Sequence, residues 1–208
     1  MKTRNPMVMV VDDDSGVRNA MRSLLKSVGL ESAQYASAQE FLAAYQPNQP
    51  GCLVLDIRMP GMSGLELQQQ LNLRGAVIPV IFMTGHGDIP MAVEAMQHGA
   101  FDFLQKPFRD QDLLDRIQRA IAKDGELRKS LGEHERIKTH LEALTPRERE
   151  VLDLLIQGKQ NKVIAQELDV SPRTVEIHRA RVMEKMNAQS VAELVRMMLD
   201  LGHAATAR

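Results

Sequence analysis

Four short strand-like runs in this chain each lead into residues able to take part in phosphoryl chemistry. Residues 7–11 (MVMVV) lead into Asp12, Asp13 and Asp14, and residues 52–55 (CLVL) lead into Asp56. Residues 80–83 (VIFM) lead into Thr84, and residues 101–105 (FDFLQ) lead into Lys106 and Pro107. A polar side chain directly after such a run stands at the carboxyl end of a buried parallel strand, where ligands bind in open α/β sheets. Acid pair, acid, hydroxyl and lysine, in that order, make a site for transferring a phosphoryl group. Asp56 is the candidate nucleophile, because a carboxylate that attacks phosphorus becomes an acyl phosphate. Asp12 and Asp13 add carboxylates at the same edge, and three clustered acids repel unless a cation lies among them. An all-oxygen donor set favours Mg2+, with Mn2+ as a substitute. The sequence contains no G-x-x-x-x-G-K-[ST] loop for holding ATP, so the phosphate comes from another molecule.

Positioning these residues requires strands that alternate with helices. Amphipathic stretches are predicted at 15–27, 38–46, 64–73, 88–98 and 110–122. Ser15 reads as the cap of the first, with Val17, Met21, Leu24, Leu25 and Val28 on its buried stripe. The alternation predicts an α/β doubly wound five-stranded parallel sheet over residues 6–121. Residues 122–141 are charged and carry only the sparse apolar positions Leu127, Leu131, Ile137 and Leu141. They read as a solvated helical linker, since a dimer seam needs three or four sustained heptads.

From 142 to 202 the pattern is all-α. Thr145-Pro146-Arg147-Glu148 combines a cap, a proline in the first helical position and a returning glutamate, and Gly158 ends that helix. A second helix is expected near 161–168, a third from the Ser171-Pro172 cap to Met186, and a fourth near 190–200. Short helices with tight turns read as a helix-turn-helix. On the third, Val175, Arg179, Val182 and Met186 share one side, and Arg173, Ile177, Ala180 and Glu184 lie opposite. Glu176 and Arg181 flank that outward face. The small Ala180 lets the helix approach base edges while the arginines reach phosphates, with Lys162 a further phosphate candidate. Val191, Leu194, Val195 and Met198 on the fourth helix serve either internal packing or dimerisation.

Bulk composition narrows the classes. A chain of 208 residues with 44% hydrophobic and 25% charged content can bury real cores, which argues against disorder. One cysteine excludes an internal disulfide and a cysteine-built zinc cluster, and Cys52 reads as a small core residue. No apolar run approaches the roughly 20 residues of a membrane helix, and no signal-peptide region precedes the first strand. The expectation is a cytoplasmic protein without a membrane partner. Residues 1–121 hold 11 basic and 13 acidic side chains and residues 142–208 hold 10 of each, so overall charge does not reveal a DNA-binding region.

Specific motifs carry two family resemblances. Val10-Val11-Asp12-Asp13-Asp14, Asp56 with Met59-Pro60-Gly61-Met62-Ser63-Gly64, Thr84-Gly85-His86-Gly87-Asp88, and Lys106-Pro107-Phe108 resemble a two-component receiver, a flavodoxin-like domain. The resemblance implies a phosphohistidine on a sensor histidine kinase as donor. It implies Asp13, Asp56 and the Arg58 backbone carbonyl as direct metal ligands, with Asp12 acting partly through water. Lys106 would pair with one phosphoryl oxygen, Thr84 would donate to another, and Gly85 would leave the approach open. A cis Lys106–Pro107 bond is expected. Asp14 is taken as a helix-flanking acid, and Arg58 and His86 as residues at the entrance.

Leu144 to Leu152, Asn161-Lys162-Val163-Ile164-Ala165 and Ser171-Pro172-Arg173-Thr174-Val175-Glu176-Ile177-His178 resemble the LuxR-type helix-turn-helix. That likeness implies that Glu176, Ile177 and Ala180 face bases, with Lys162 and Arg179 near the backbone. The combination resembles FixJ-like regulators and implies double-stranded DNA and RNA polymerase as partners. Phosphorylation is expected to draw Thr84 toward the phosphate and Phe103 into the vacated space, producing a homodimer. The competing readings are an acyl-phosphate phosphatase with a helical interaction module, and a DNA-binding regulator whose receiver is a phosphorylation-independent dimerisation module.

Overall fold

A strand buried on both faces must be apolar at successive positions, and the segment Gly51–Asp56 is buried along its whole length. The computed structural model describes residues 4–85 and 89–206. Its strands are β1 Met7–Val11, β2 Glu31–Tyr35, β3 Gly51–Asp56, β4 Val80–Thr84 and β5 Asp102–Gln105, all parallel, in the order β2-β1-β3-β4-β5. Helices α1 Ser15–Ser27, α2 Ala38–Ala44, α3 Gly64–Leu73, α4 Ile89–Gln97 and α5 Asp110–Glu142 alternate with them.

Successive strand residues point to opposite faces. Val8, Val10, Cys52, Val54, Ile81 and Met83 pack with Met21 and Leu25 of α1 and with Leu113 and Ile117 of α5. Met9, Val11, Leu53, Leu55, Val80 and Phe82 pack with Phe41 of α2, Leu67 and Leu71 of α3 and Ala95 of α4. The strand order reverses between β1 and β3, whose carboxyl ends carry Asp12 and Asp56. That reversal opens the crevice in which doubly wound sheets bind ligands.

Several local expectations need correction. Asp14, not Ser15, caps α1, accepting from the Gly16 and Val17 N–H groups. Val28 is exposed rather than on the buried stripe, because the chain has already left the helix at Ser27. The helix expected at 110–122 continues unbroken to Glu142. The chain separates into two compact units between Arg128 and Lys129, a division that falls within α5.

In the second unit, α6 Pro146–Ile156, α7 Asn161–Glu167, α8 Pro172–Lys185 and α9 Val191–Thr206 follow the end of α5. The capping box of α6 is complete, Thr145 and Glu148 each accepting the other's backbone N–H. The turn before α8 and the end of α8 use Asp169 and Asn187 at φ 52° and 51°, a left-handed region that these residue types tolerate. Ile137, Leu144, Leu152, Val182, Met186 and Leu194 form one core, and Val151, Leu155, Ile164 and Val175 form another.

Candidate functional site

The carboxyl edge of the sheet brings three of the expected residues into direct contact. Lys106 Nζ donates to Asp56 Oδ1 at 2.6 Å and to Asp12 Oδ2 at 2.9 Å. Asp12 is 1% exposed and Asp56 8% exposed, so this ammonium bridges two carboxylates largely removed from water. Their remaining oxygens are held by local backbone: Asp14 N–H reaches Asp12 Oδ1 at 2.8 Å, and Arg58 N–H reaches Asp56 Oδ2 at 2.9 Å. Lys106 is aimed by β5 and by its own N–H, which bonds the Thr84 carbonyl at 2.7 Å. The Lys106–Pro107 bond is cis, as the motif implied.

Burial raises the Asp56 carboxyl above its ordinary range, and the hydrogen bond and charge of Lys106 oppose it incompletely. For Lys106, burial alone acts downward, but hydrogen bonds and charges from Asp56 and Asp12 together outweigh it and lift the ammonium. The two directions agree physically. Lys106 faces two anions, whereas Asp56 shares a single cation with another carboxylate.

Thr84 is 3% exposed at the end of β4, on the strand beside Asp56. Asp13 is exposed at the same edge. Arg58 lies on the exposed turn after β3. Phe103 on β5 is 41% exposed and pairs in register with Phe82. His86 lies outside the described residues, as do Gly87 and Asp88. Gly64 is required where the chain turns from β3 into α3, since a Cβ there would lie 2.3 Å from the Asp56 carbonyl oxygen.

Among the described residues, no three acidic, imidazole or thiol side chains converge as a metal-holding group. The donor chemistry nevertheless fits Mg2+. This ion takes one or two carboxylates and fills its octahedron with carbonyl oxygen and water, and two carboxylates here share only one ammonium.

The structure adds a residue that spacing did not reveal. Arg18 Nη1 donates to the Asp12 and Asp13 carbonyls at 2.7 and 2.9 Å, fixing the acidic turn from α1. The available signal was an arginine one helical turn past the Asp14 cap.

In the second unit, the outward side of α8 carries Arg173, Glu176, Ile177, Ala180 and Arg181, all exposed, while Val175, Val182 and Met186 are fully buried. Ile177 is a large apolar side chain 49% exposed on this face. Thr174 is half-buried and tied to the Ser171 cap. Lys162 is exposed at the start of α7. Arg179 is half-buried and donates to Asn161 Oδ1 at 3.1 Å, so it also joins α8 to α7. Sequence reasoning missed the support beneath. Lys185, at the end of α8, donates to the buried Glu148 at 2.6 Å and to the Ala143 carbonyl at 3.1 Å. The Lys185 hydrogen bond, and then that from Thr145 N–H, bring the Glu148 carboxyl down to about 2.

Comparison with known proteins divides along the same lines. Residues 8–118 match the family described as response regulator receiver domain, and residues 142–198 match that described as bacterial regulatory proteins, luxR family. The chain is 49% identical over 197 residues to the transcriptional regulatory protein FixJ of Azorhizobium caulinodans, covering 95% of this chain and 93% of that one. It is 43% identical to the response regulator protein TodT of Pseudomonas putida, with 95% and 87% covered. Among solved structures, the response regulator StyR superposes with a TM-score of 0.88 at 47% identity, covering 94% of this chain and 98% of that one.

Proposed function

The chain belongs to the response regulators that join a receiver to a LuxR-type DNA-binding domain, and we propose that this transcription factor is switched by phosphorylation of Asp56. The receiver spans 6–121, the helical linker 122–141 and the DNA-binding unit 142–202. The observation that carries this reading is the single Lys106 ammonium shared by two buried carboxylates at the sheet's carboxyl edge.

The donor is a phosphohistidine of a sensor histidine kinase. An Asp56 oxygen attacks phosphorus, a P–O bond forms, the P–N bond breaks and the histidine leaves with the bonding pair. As the Asp56 charge passes to the phosphoryl group, Lys106 follows it onto an equatorial oxygen while keeping its bond to Asp12. Thr84, one strand over, donates its hydroxyl to another oxygen. Asp13, Asp56 and the Arg58 backbone carbonyl, with Asp12 partly through water, would hold Mg2+, which would supply neutralisation of the charge on the transferring oxygens. The receiver catalyses only its own phosphorylation and the later hydrolysis by water.

Output follows from charge. Phosphorylation adds about one negative charge beside Thr84. Thr84 moves toward it, Phe103 turns inward, and the face formed by α4, β5 and the start of α5 becomes a dimer surface. A dimer places two copies of α8 in successive major grooves of a two-fold site, and RNA polymerase is engaged there in the cytoplasm. Acetyl phosphate with Mg2+ tests this reading. One phosphate is expected per chain, absent in Asp56→Asn, with a doubling of mass in solution. Phosphate uptake with unchanged mass and unchanged DNA affinity contradicts it, leaving the receiver as a constitutive dimerisation module.

A further inference from the structure

The end of β3 opposite Asp56 is held by two charged residues of α5 that lie beyond the receiver match, which stops at residue 118. Asp124 is 1% exposed. Its Oδ2 accepts the Gly51 N–H at 2.9 Å, and its two oxygens accept Arg128 Nε at 2.9 and 2.8 Å. The other two nitrogens of Arg128 go to backbone, Nη1 to the Pro47 carbonyl at 2.8 Å and Nη2 to the Gln49 carbonyl at 3.0 Å.

Gly51 leaves little room for an alternative arrangement. Its φ is 143°, and a Cβ there would lie 1.8 Å from the Met7 carbonyl oxygen, so β1 and β3 meet closely at this point. A carboxylate taken this far from water is costly unless paired and hydrogen-bonded, and here it is both. Apolar residues of similar volume commonly match or exceed such a pair in stability. What the pair supplies in addition is a fixed geometry between a strand, a loop and a helix.

That geometry has a consequence for signalling. The segment after β4 grips β3 at both ends, through Lys106 on Asp56 and through Asp124 and Arg128 on Gly51 and the loop before it. The same α5 continues to Ile137, which is buried in a core of the second unit. We propose that Asp124 and Arg128 are positioning residues that couple the phosphoacceptor strand to the helix leading out of the receiver. The change of partner at Lys106 then reaches α5 against a held strand, instead of being absorbed by slack in the loop at 46–50. The inference rests on the phosphorylation reading above and names its route of regulation.

The test compares the full native chain with Asp124→Asn and with Asp124→Asn combined with Arg128→Met, which leaves neither charge orphaned. Acetyl phosphate is the donor, and the probe is a duplex pool enriched from random sequence on the phosphorylated native protein. Phosphate per chain reads the receiver, and the ratio of DNA affinities with and without donor reads the coupling. Couplings of this kind are about 5- to 150-fold. Both variants are expected to take up phosphate as the native chain does, with the affinity ratio reduced to about 2-fold or less. A purely structural pair would lower the unfolding midpoint and leave the ratio at its native value, which overturns the proposal. Failure of both variants to fold also overturns it, by assigning the pair to stability alone. A native ratio of one removes the phosphorylation reading itself and the inference with it.

Discussion

At the scale of single residues, the site is a problem of surplus negative charge. Asp12 and Asp56 are buried against one ammonium, and burial already raises the Asp56 carboxyl. An acid whose folded value is raised weakens the fold once it is ionised. Asp56→Asn is therefore expected to stabilise the receiver near neutral pH while abolishing phosphate uptake. Urea unfolding checks the sign, and a lower midpoint would contradict the charge account. Glu148 has the opposite sign. Its folded carboxyl lies near 2 against 4.5 for the free group, so its contribution is complete above about 4.5 and is lost as pH falls toward about 2. Acid titration of the native chain against Glu148→Gln should show the native stability advantage disappearing across that window, and parallel curves would refute it. Strand-end residues such as Asp12 and Asp56 were legible because an apolar run points to each, and Lys106 because a shorter strand-like run does. Lys185 and Arg18 were not, because each reaches a partner that sequence spacing cannot locate: a carboxylate 37 positions away for one, backbone carbonyls for the other.

At the scale of elements, the β3–α3 turn and α8 carry the sharpest expectations. A methyl group at Gly64 would press on the Asp56 carbonyl at 2.3 Å. Gly64→Ala should cost roughly 1–3 kcal/mol and slow phosphorylation by moving the end of β3. Retention of native stability and phosphorylation rate would mean that the turn yields without cost. On the second unit, Lys162 is exposed at the start of α7. Lys162→Ala is expected to weaken binding to all duplexes about equally and to reduce the salt slope by about 1. A change confined to particular sequences would instead make it a base reader. Helical periodicity identified which side of α8 is outward, and its buried and exposed positions follow that pattern. It separated a helix at 110–122 from a solvated helical linker at 122–141, whereas α5 runs through both without a break, because the charged stretch carries only sparse apolar positions. What anchors that stretch is polar: Asp124 and Arg128 on the backbone of another element.

At the scale of the whole molecule, the sequence announced its two parts, a parallel α/β sheet and an all-α unit, through a change of hydrophobic period from strand-and-helix alternation to helices alone. The sheet was legible because its central strands are continuously apolar. Edge strand β2 (ESAQY) has no such run and forms on the pairing offered by β1. The link between the parts was not legible, since coupling depends on contacts distant in sequence and composed of ordinary charged residues. A charge placed on Asp56 is proposed to govern DNA binding by the second unit. The most direct measurement is the affinity of the full chain for a selected duplex, with and without acetyl phosphate and Mg2+, for the native protein and Asp56→Asn. The native chain should gain roughly 5- to 150-fold in affinity and the variant nothing. Equal affinities in all four conditions, with phosphate uptake by the native chain verified, would contradict it.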